Sequence, residues 1–397
     1  MGRYVEQFHE GLPHGLGNKK SRRGGTYHAY IPDKMSEIDF VPSEKTSFLL
    51  SKSHDDFSRL TTLIGARSEL DLSKVLLFSE GIASSRIEEI VGTTHNIVLA
   101  FNGSRKLTDV SRLIINNVEQ TRRSFELFSV EGFSVDEIEI LQKSLLRNPS
   151  YGEHWNAIML GYRGEQNIIG GTSPIDAIYV PPIPELVPEL VEDLVSYLNH
   201  STHDAITKIA LSHAQFESIH PFIDGNGRTG RSLIQGVISH EGLFHTVLPI
   251  SRVLISRGSD YFGVLNEIRN DGKPDNDKMN LLVQFFCIVV SDAVYLVEEV
   301  ISCIEELHRS VDEMFGSGSE VVKFILNGLS ASLTDVIKEF GYESLDVVRK
   351  AVEIGFLESR RNNGEDSYFS PELISVIDGV PFKTSSFTDR VFCDVTN

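Results

Sequence analysis

A mainly α-helical chain is what this sequence predicts, and three observations predict it. Apolar residues recur at three-and-four spacing, as in Leu60, Leu63 and Ile64, and again in Leu72, Val75, Leu76 and Phe78. Runs with β-type composition are short: Asn167–Ile169, Ala177–Val180 and Ser367–Phe369. Gly and Pro punctuate the pattern, as at Pro181-Pro182 and Gly341. The 397 residues suffice for two or three domains with sizeable cores.

In chain order, residues 1–25 are polar and Gly-rich and read as a flexible arm carrying one basic cluster, Lys19-Lys20-Ser21-Arg22-Arg23. Residues 26–105 read as an N-terminal helical domain, with the helical pattern running from Phe40 to Val98. Residues 106–316 form the central domain. Its first helices, over 106–148, offer Leu113, Ile114, Val118, Ile138, Ile140, Leu141 and Leu145 as core candidates. Between Gly161 and Pro182 the texture changes, and Gly164, Gly170, Gly171 and Pro174 break two short runs into a predicted hairpin. Pro184-Glu185 opens a helix to about Leu198, and Ala205–Glu217 is a further helix. The most apolar run, Leu281–Val297, is interrupted by Gln284, Ser291 and Asp292 and reads as a buried helix and not a membrane span. Residues 317–380 look separate. Val321–Leu326, Leu333–Phe340 and Leu345–Leu357 read as helices, Arg360–Gly364 as a turn, and Ser367–Phe369 as a strand, an order resembling a winged helix. Residues 381–397 are a tail.

The charge balance narrows the function. A net charge of −19 repels nucleic acid backbones unless a basic patch intervenes. Residues 318–379 carry six Lys or Arg against eleven Asp or Glu, so DNA binding by this segment is disfavoured and a protein contact favoured. Cys287, Cys303 and Cys393 show neither metal-ligand spacing nor a disulfide framework, and no signal-peptide pattern opens the chain, so a reducing cytoplasm is expected.

The chemistry concentrates in His220-Pro-Phe-Ile-Asp-Gly-Asn-Gly-Arg-Thr-Gly-Arg231. Gly225 and Gly227 free the backbone to approach an anion. The stretch that follows reads as a helix, so the loop sits at a helix N-terminus, where unpaired N–H groups and the dipole favour phosphate. Arg228 and Arg231, three apart, share a face of that helix and offer planar forks to phosphate oxygens. His220, an imidazole titrating near neutrality, suits proton transfer beside that anion.

These residues resemble the Fic family, whose motif reads His-x-Phe-x-Asp/Glu-Gly-Asn-Gly-Arg-x-x-Arg, with every fixed position filled. The resemblance implies a helical Fic-type core, over 106–316, that transfers AMP from ATP to a Tyr, Thr or Ser hydroxyl of a target protein. It implies His220 as general base and Asp224 as the Mg²⁺ ligand. Gly225, Asn226 and Gly227 would cradle phosphates, and Arg228 and Arg231 would engage the β- and γ-phosphates. Ser259-Asp260-Tyr261-Phe262 occupies the place of a family aromatic pair near the nucleotide base, which assigns Tyr261 to nucleotide binding. Ser84-Ser85-Arg86-Ile87-Glu88 resembles an inhibitory helix of pattern Ser/Thr-x-x-x-Glu-Gly/Asn, although Glu89 stands where that pattern has Gly or Asn. Glu88 would then pair with Arg231 and displace the γ-phosphate. Gly161–Val180, with Ile169, Gly170 and Gly171 as its core, resembles the flap that clamps an extended target segment. Self-modification and a homodimer stay open, as do three alternatives: hydrolysis of AMP–protein bonds, transfer of another phosphate-bearing group, and a winged-helix regulator using the core as a nucleotide sensor.

Overall fold

The computed structural model describes residues 2–9, 24–65, 71–148, 161–269, 275–362 and 364–379. The basic cluster Lys19–Arg23 and the tail 381–397 lie outside them. The described chain is mainly helical, and it divides into two compact units of three segments each. Residues 1–53, 123–243 and 257–288 form one, and residues 54–122, 244–256 and 289–397 the other.

The first unit is built around the Ala205–Ile219 helix, buried along all its length. Asp204 caps it by accepting from the N–H groups of Ile206 and Thr207. The Asn226–His240 helix lies close against it. A Cβ on Gly230 would stand 2.6 Å from Glu217 Oε1 and 3.0 Å from Phe216 Cδ1, so only glycine permits this approach. The first unit also contains an antiparallel hairpin pairing Gly2–His9 with Gly25–Pro32, in register from Gly2↔Pro32 to His9↔Gly25. Residues 2–9 are thus a paired strand, where a flexible arm was expected. Their polar composition hides it, because the pairing partner lies two dozen residues away. Tyr4 faces Tyr30 across the hairpin at 5.2 Å between ring centroids, and the Tyr4 hydroxyl donates to the Arg269 carbonyl.

In the second unit, Gly81 of the Ser73–Ile87 helix lets Val118 approach, since a Cβ there would sit 2.6 Å from Val118 Cγ2. Asn117 Nδ2 donates to the Gly81 carbonyl and to Ser85 Oγ, and Glu80 accepts from the Ser251 N–H and hydroxyl. The Ser319–Asn327, Leu333–Phe340 and Leu345–Glu353 helices precede the Glu358–Asn362 and Glu365–Phe369 strands. The second strand lies between the first and Ala331–Ser332, all antiparallel. Two sequence boundaries shift here. The third helix stops at Glu353, before left-handed Gly355, and Arg360–Asn362, read as turn, belong to a strand. The Pro371–Gly379 helix contacts the Ser73–Ile87 helix, with Arg86 Nη2 2.5 Å from Asp378 Oδ1 and Thr94 also bonded to that carboxylate.

The Asn276–Phe315 helix contains a stretch apolar and long enough to cross a bilayer, but 89% of that window is buried within the protein. That is the environment of a core helix, which is how the sequence reads.

Candidate active site

The motif begins where the Ala205–Ile219 helix ends. His220 terminates it in the left-handed conformation, φ 49° and ψ 60°, its N–H donating to the Phe216 carbonyl. That turn swings the chain out of the helix and presents the imidazole beside the next loop. Phe222 then turns inward, fully buried, against Tyr162 at 5.6 Å and Phe216 at 6.2 Å. Asn226 closes the loop from within: its Oδ1 accepts from the Phe222 N–H and its Nδ2 donates to the Phe222 carbonyl.

Gly225 is left-handed, φ 84°, and a Cβ there would lie 2.8 Å from Leu145 Cδ2, so this position demands glycine twice over. It caps the Asn226–His240 helix, whose first N–H groups precede the first intrahelical bond, from Thr229 N–H to the Gly225 carbonyl. Asn226, Gly227 and Arg228 therefore offer backbone donors at the positive end of a helix dipole. Arg228 and Arg231 are both buried, each 2% exposed. Asp224 is the exposed member, its side chain 54% accessible. Its Oδ1 accepts from the Gly225 N–H at 2.6 Å and stands 3.4 Å from Arg228 Nη2. Its other oxygen makes no bond among the described residues.

Four side chains that sequence reasoning did not single out hold this loop. Arg163 Nε donates to the His220 carbonyl at 2.9 Å. Asn167 Nδ2 donates to the Phe222 and Ile223 carbonyls, and Gln142 Nε2 to the Asp224 carbonyl. Arg269 donates to Ser218 Oγ and the Glu217 carbonyl, with its guanidinium 4.1 Å above the Tyr179 ring. None carries a local signal, because each acts on a backbone segment distant in sequence. One deeper residue was legible: His213 stands seven before His220, two helical turns along the same face.

His213 is buried, its Nε2 at 2.8 Å from the Tyr261 hydroxyl. Burial first, and the Arg231 guanidinium second, push its pKa down to about 3, so it is neutral at physiological pH. Tyr261 is itself 2% exposed, stacked at 5.8 Å on His213, and the open ring of the aromatic pair is Phe262. Tyr261 is thus part of the core, and Phe262 is 54% exposed.

The 161–182 segment is joined by single bridges and not by a hairpin ladder, Tyr162↔Phe222 and Ile169↔Tyr179. Gly170 and Gly171 are left-handed, φ 68° and 82°. Asp176 gathers the N–H and hydroxyl groups of Thr172 and Ser173, which holds its pKa down to about 2. Ile178 stands 80% exposed beside Gly170. In the second unit, Ser84 is buried and Glu88 exposed at the end of the Ser73–Ile87 helix. Glu89, at the position where the resembled pattern has Gly or Asn, is left-handed with φ 60°. The conformation asked of that position is kept with a residue that fits it poorly.

An imidazole just before a glycine-bounded helix N-terminus with two buried arginines is an arrangement that favours an anion. Residues 133–237 match the sequence profile of the Fic/DOC family. A "Probable protein adenylyltransferase" of Aquifex aeolicus is 32% identical over 143 residues, which are 35% of this chain and 43% of that protein. Protein adenylyltransferase fic-1 of Caenorhabditis elegans is 33% identical over 99 residues, 21% of this chain and 20% of that one. The matched segments thus span less than half of either relative. The crystal structure of a Fic family protein from Desulfovibrio desulfuricans superposes with a TM-score of 0.54 at 21% identity, covering 84% of this chain and 98% of that one. It shares the helical fold.

Proposed function

We propose that the protein is an adenylyltransferase that transfers AMP from ATP to a hydroxyl side chain of a protein. The observation carrying this reading is the placement of His220 at the end of one helix, directly before the N-terminus of another that offers backbone donors and Arg228 and Arg231. Relatives named as protein adenylyltransferases support it. The triphosphate lies along the Gly225–Arg228 backbone, with the arginines on its outer phosphates. A target Tyr, Thr or Ser hydroxyl approaches on the His220 side. Its oxygen attacks the α-phosphorus, its proton passes to the imidazole, and the bond to pyrophosphate breaks. AMP–protein ester and pyrophosphate are the products. An extended target segment lies along the 161–182 segment and bonds through its backbone, beside the exposed Ile178.

Asp224 fits a Mg²⁺ site. Its carboxylate is exposed, with one oxygen engaged and the other open, which suits a hard cation held by one carboxylate and by substrate phosphates. The ion would supply neutralisation of charge on the phosphates.

Glu88 is proposed to restrain the activity by competing with the γ-phosphate for Arg231. The Ser84–Glu88 spacing and the left-handed Glu89 turn support this. The helix–strand–helix–helix–strand–strand order of residues 319–369 supports a winged-helix reading of the C-terminal part, and its acidic charge favours a protein partner. The full-length protein with ATP and Mg²⁺, alone and with lysate, tests the central reading by intact-mass spectrometry. A gain of one AMP on any protein, lost in His220→Ala, is expected. ATP binding without any AMP transfer would leave a nucleotide sensor instead.

A further inference from the structure

We infer that Arg163 is a positioning residue for transfer: its buried guanidinium joins both feet of the 161–182 segment to the backbone of His220, so that seating a target segment and aiming the base are one event. This rests on the transferase reading of the same site.

The geometry is specific. Nη1 donates to the Glu165 carbonyl at 3.2 Å and Nη2 to the Pro182 carbonyl at 2.5 Å, which lie at opposite feet of the segment. Nε donates to the His220 carbonyl at 2.9 Å, and Nη2 reaches the Ile219 carbonyl at 3.4 Å. The Arg163 N–H also donates to the Pro221 carbonyl, one residue before the Tyr162↔Phe222 bridge. Five bonds from one residue therefore converge on three stretches of chain. Arg163 is 2% exposed, and its guanidinium forms no carboxylate pair among the described residues.

A buried cation without a carboxylate is costly, which argues that the arrangement is kept for what it positions and not for stability alone. Burial lowers its pKa to about 10, so the charge persists at neutral pH. What it positions is strained: a left-handed histidine at a helix end is disfavoured against a right-handed one and persists only when its surroundings hold it. Arg163 Nε holds the His220 carbonyl, and Asn167 and Gln142 hold those of Phe222, Ile223 and Asp224. A planar fork with donors in three directions does this; an ammonium point charge spans fewer carbonyls.

The test uses the full chain with Glu88→Gly, comparing Arg163→Met and Arg163→Lys. Three quantities are read: the initial rate of self-modification with labelled ATP, the dissociation constant for ATP by calorimetry, and the His220 imidazole signals by NMR of histidine-labelled protein. Arg163→Met is expected to slow transfer about 30- to 100-fold, the equivalent of losing two hydrogen bonds. Its ATP affinity should stay within about threefold, and the His220 signals should move while those of His240 hold. Arg163→Lys should fall between, and it decides the matter if the methionine variant does not fold. Unchanged His220 signals in either folded variant would overturn the inference, as would ATP affinity falling in step with the rate. If the parent protein modifies neither itself nor any protein of an added lysate, the transferase reading fails, while the His220 signals still report whether Arg163 positions the imidazole.

Discussion

Among the described residues, three helices run out into a left-handed residue that is not glycine, His220, Glu89 and Leu329, and the first two end differently. The Ala205–Ile219 helix stops at His220, φ 49°, and the Ser73–Ile87 helix is followed by Glu89, φ 60°. Around His220 the following carbonyls are gripped in turn by Arg163, Asn167, Asn226 and Gln142. Around Glu89 the turn is closed by backbone bonds from Glu88 and Ile90 N–H to the Ser85 carbonyl and from Glu89 N–H to that of Arg86. Arg86 in that turn pairs with Asp378, side chains 30% and 40% exposed, and donates to Thr94. Similar strain is therefore held mainly by buried side chains in one place and lies at an exposed helix end in the other. A loop that must aim a base gains from the first arrangement, and an element that must let go gains from the second.

The largest expected effect removes the base from the well-held loop. His220→Ala should lower AMP incorporation by about 10²–10⁴-fold, since general base catalysis supplies that much. ATP affinity should change little, because phosphate contacts belong to residues 225–231. Wild-type rates in the alanine variant would reassign the base.

Glu88→Gly breaks the other side of the comparison. If the exposed carboxylate competes for Arg231, freeing that arginine should raise initial AMP incorporation about 10- to 100-fold, the worth of one charge-assisted bond. The double variant Glu88→Gly, Arg231→Ala should be inactive. Equal rates for wild type and Glu88→Gly, both binding ATP, would remove the restraint from the reading of this turn.

A third effect separates the buried loop by pH. The folded pKa of His213 is depressed to about 3, while the unfolded chain has an ordinary value near 6.5. As pH falls through 6.5, the unfolded chain binds a proton that the folded one refuses until about pH 3, so His213 makes stability fall with acidification across that window. Each unit of pH inside it costs up to ~1.4 kcal/mol. Urea midpoints between pH 7 and 5 should decline less steeply in His213→Gln than in wild type; parallel declines would place the titration elsewhere.

The smallest effect sharpens the contrast. Glu89→Gly relaxes a left-handed L-residue and should stabilise the folded protein by up to ~1 kcal/mol, seen as a rise in Tm of a few degrees at most. A lower Tm would show that the Glu89 side chain holds the turn through contacts of its own.

Much was legible without coordinates. The Leu333–Phe340 helix and its stop at Gly341, φ 74°, fall where the pattern puts them, as does the helix leading into His220. The motif announced its own loop, since Gly225, Asn226 and Arg228 act within a few residues of one another. Less was legible in the 161–182 segment, where single bridges replace the expected hairpin, Ile169↔Tyr179 joining its two short runs and Tyr162 pairing instead with Phe222.

The sequence by itself determined the helical class, the anion-binding turn and the identity of its chemical groups, because periodicity, glycine conformation and motif spacing are short-range properties of the chain. Only the tertiary structure decided that residues 2–9 form a strand, that Tyr261 is buried on His213 with Phe262 left open, and that Arg163 holds the backbone of His220. These depend on contacts between residues 16 to 57 positions apart, or with carbonyls that every residue has, and so no residue type or spacing encodes them locally.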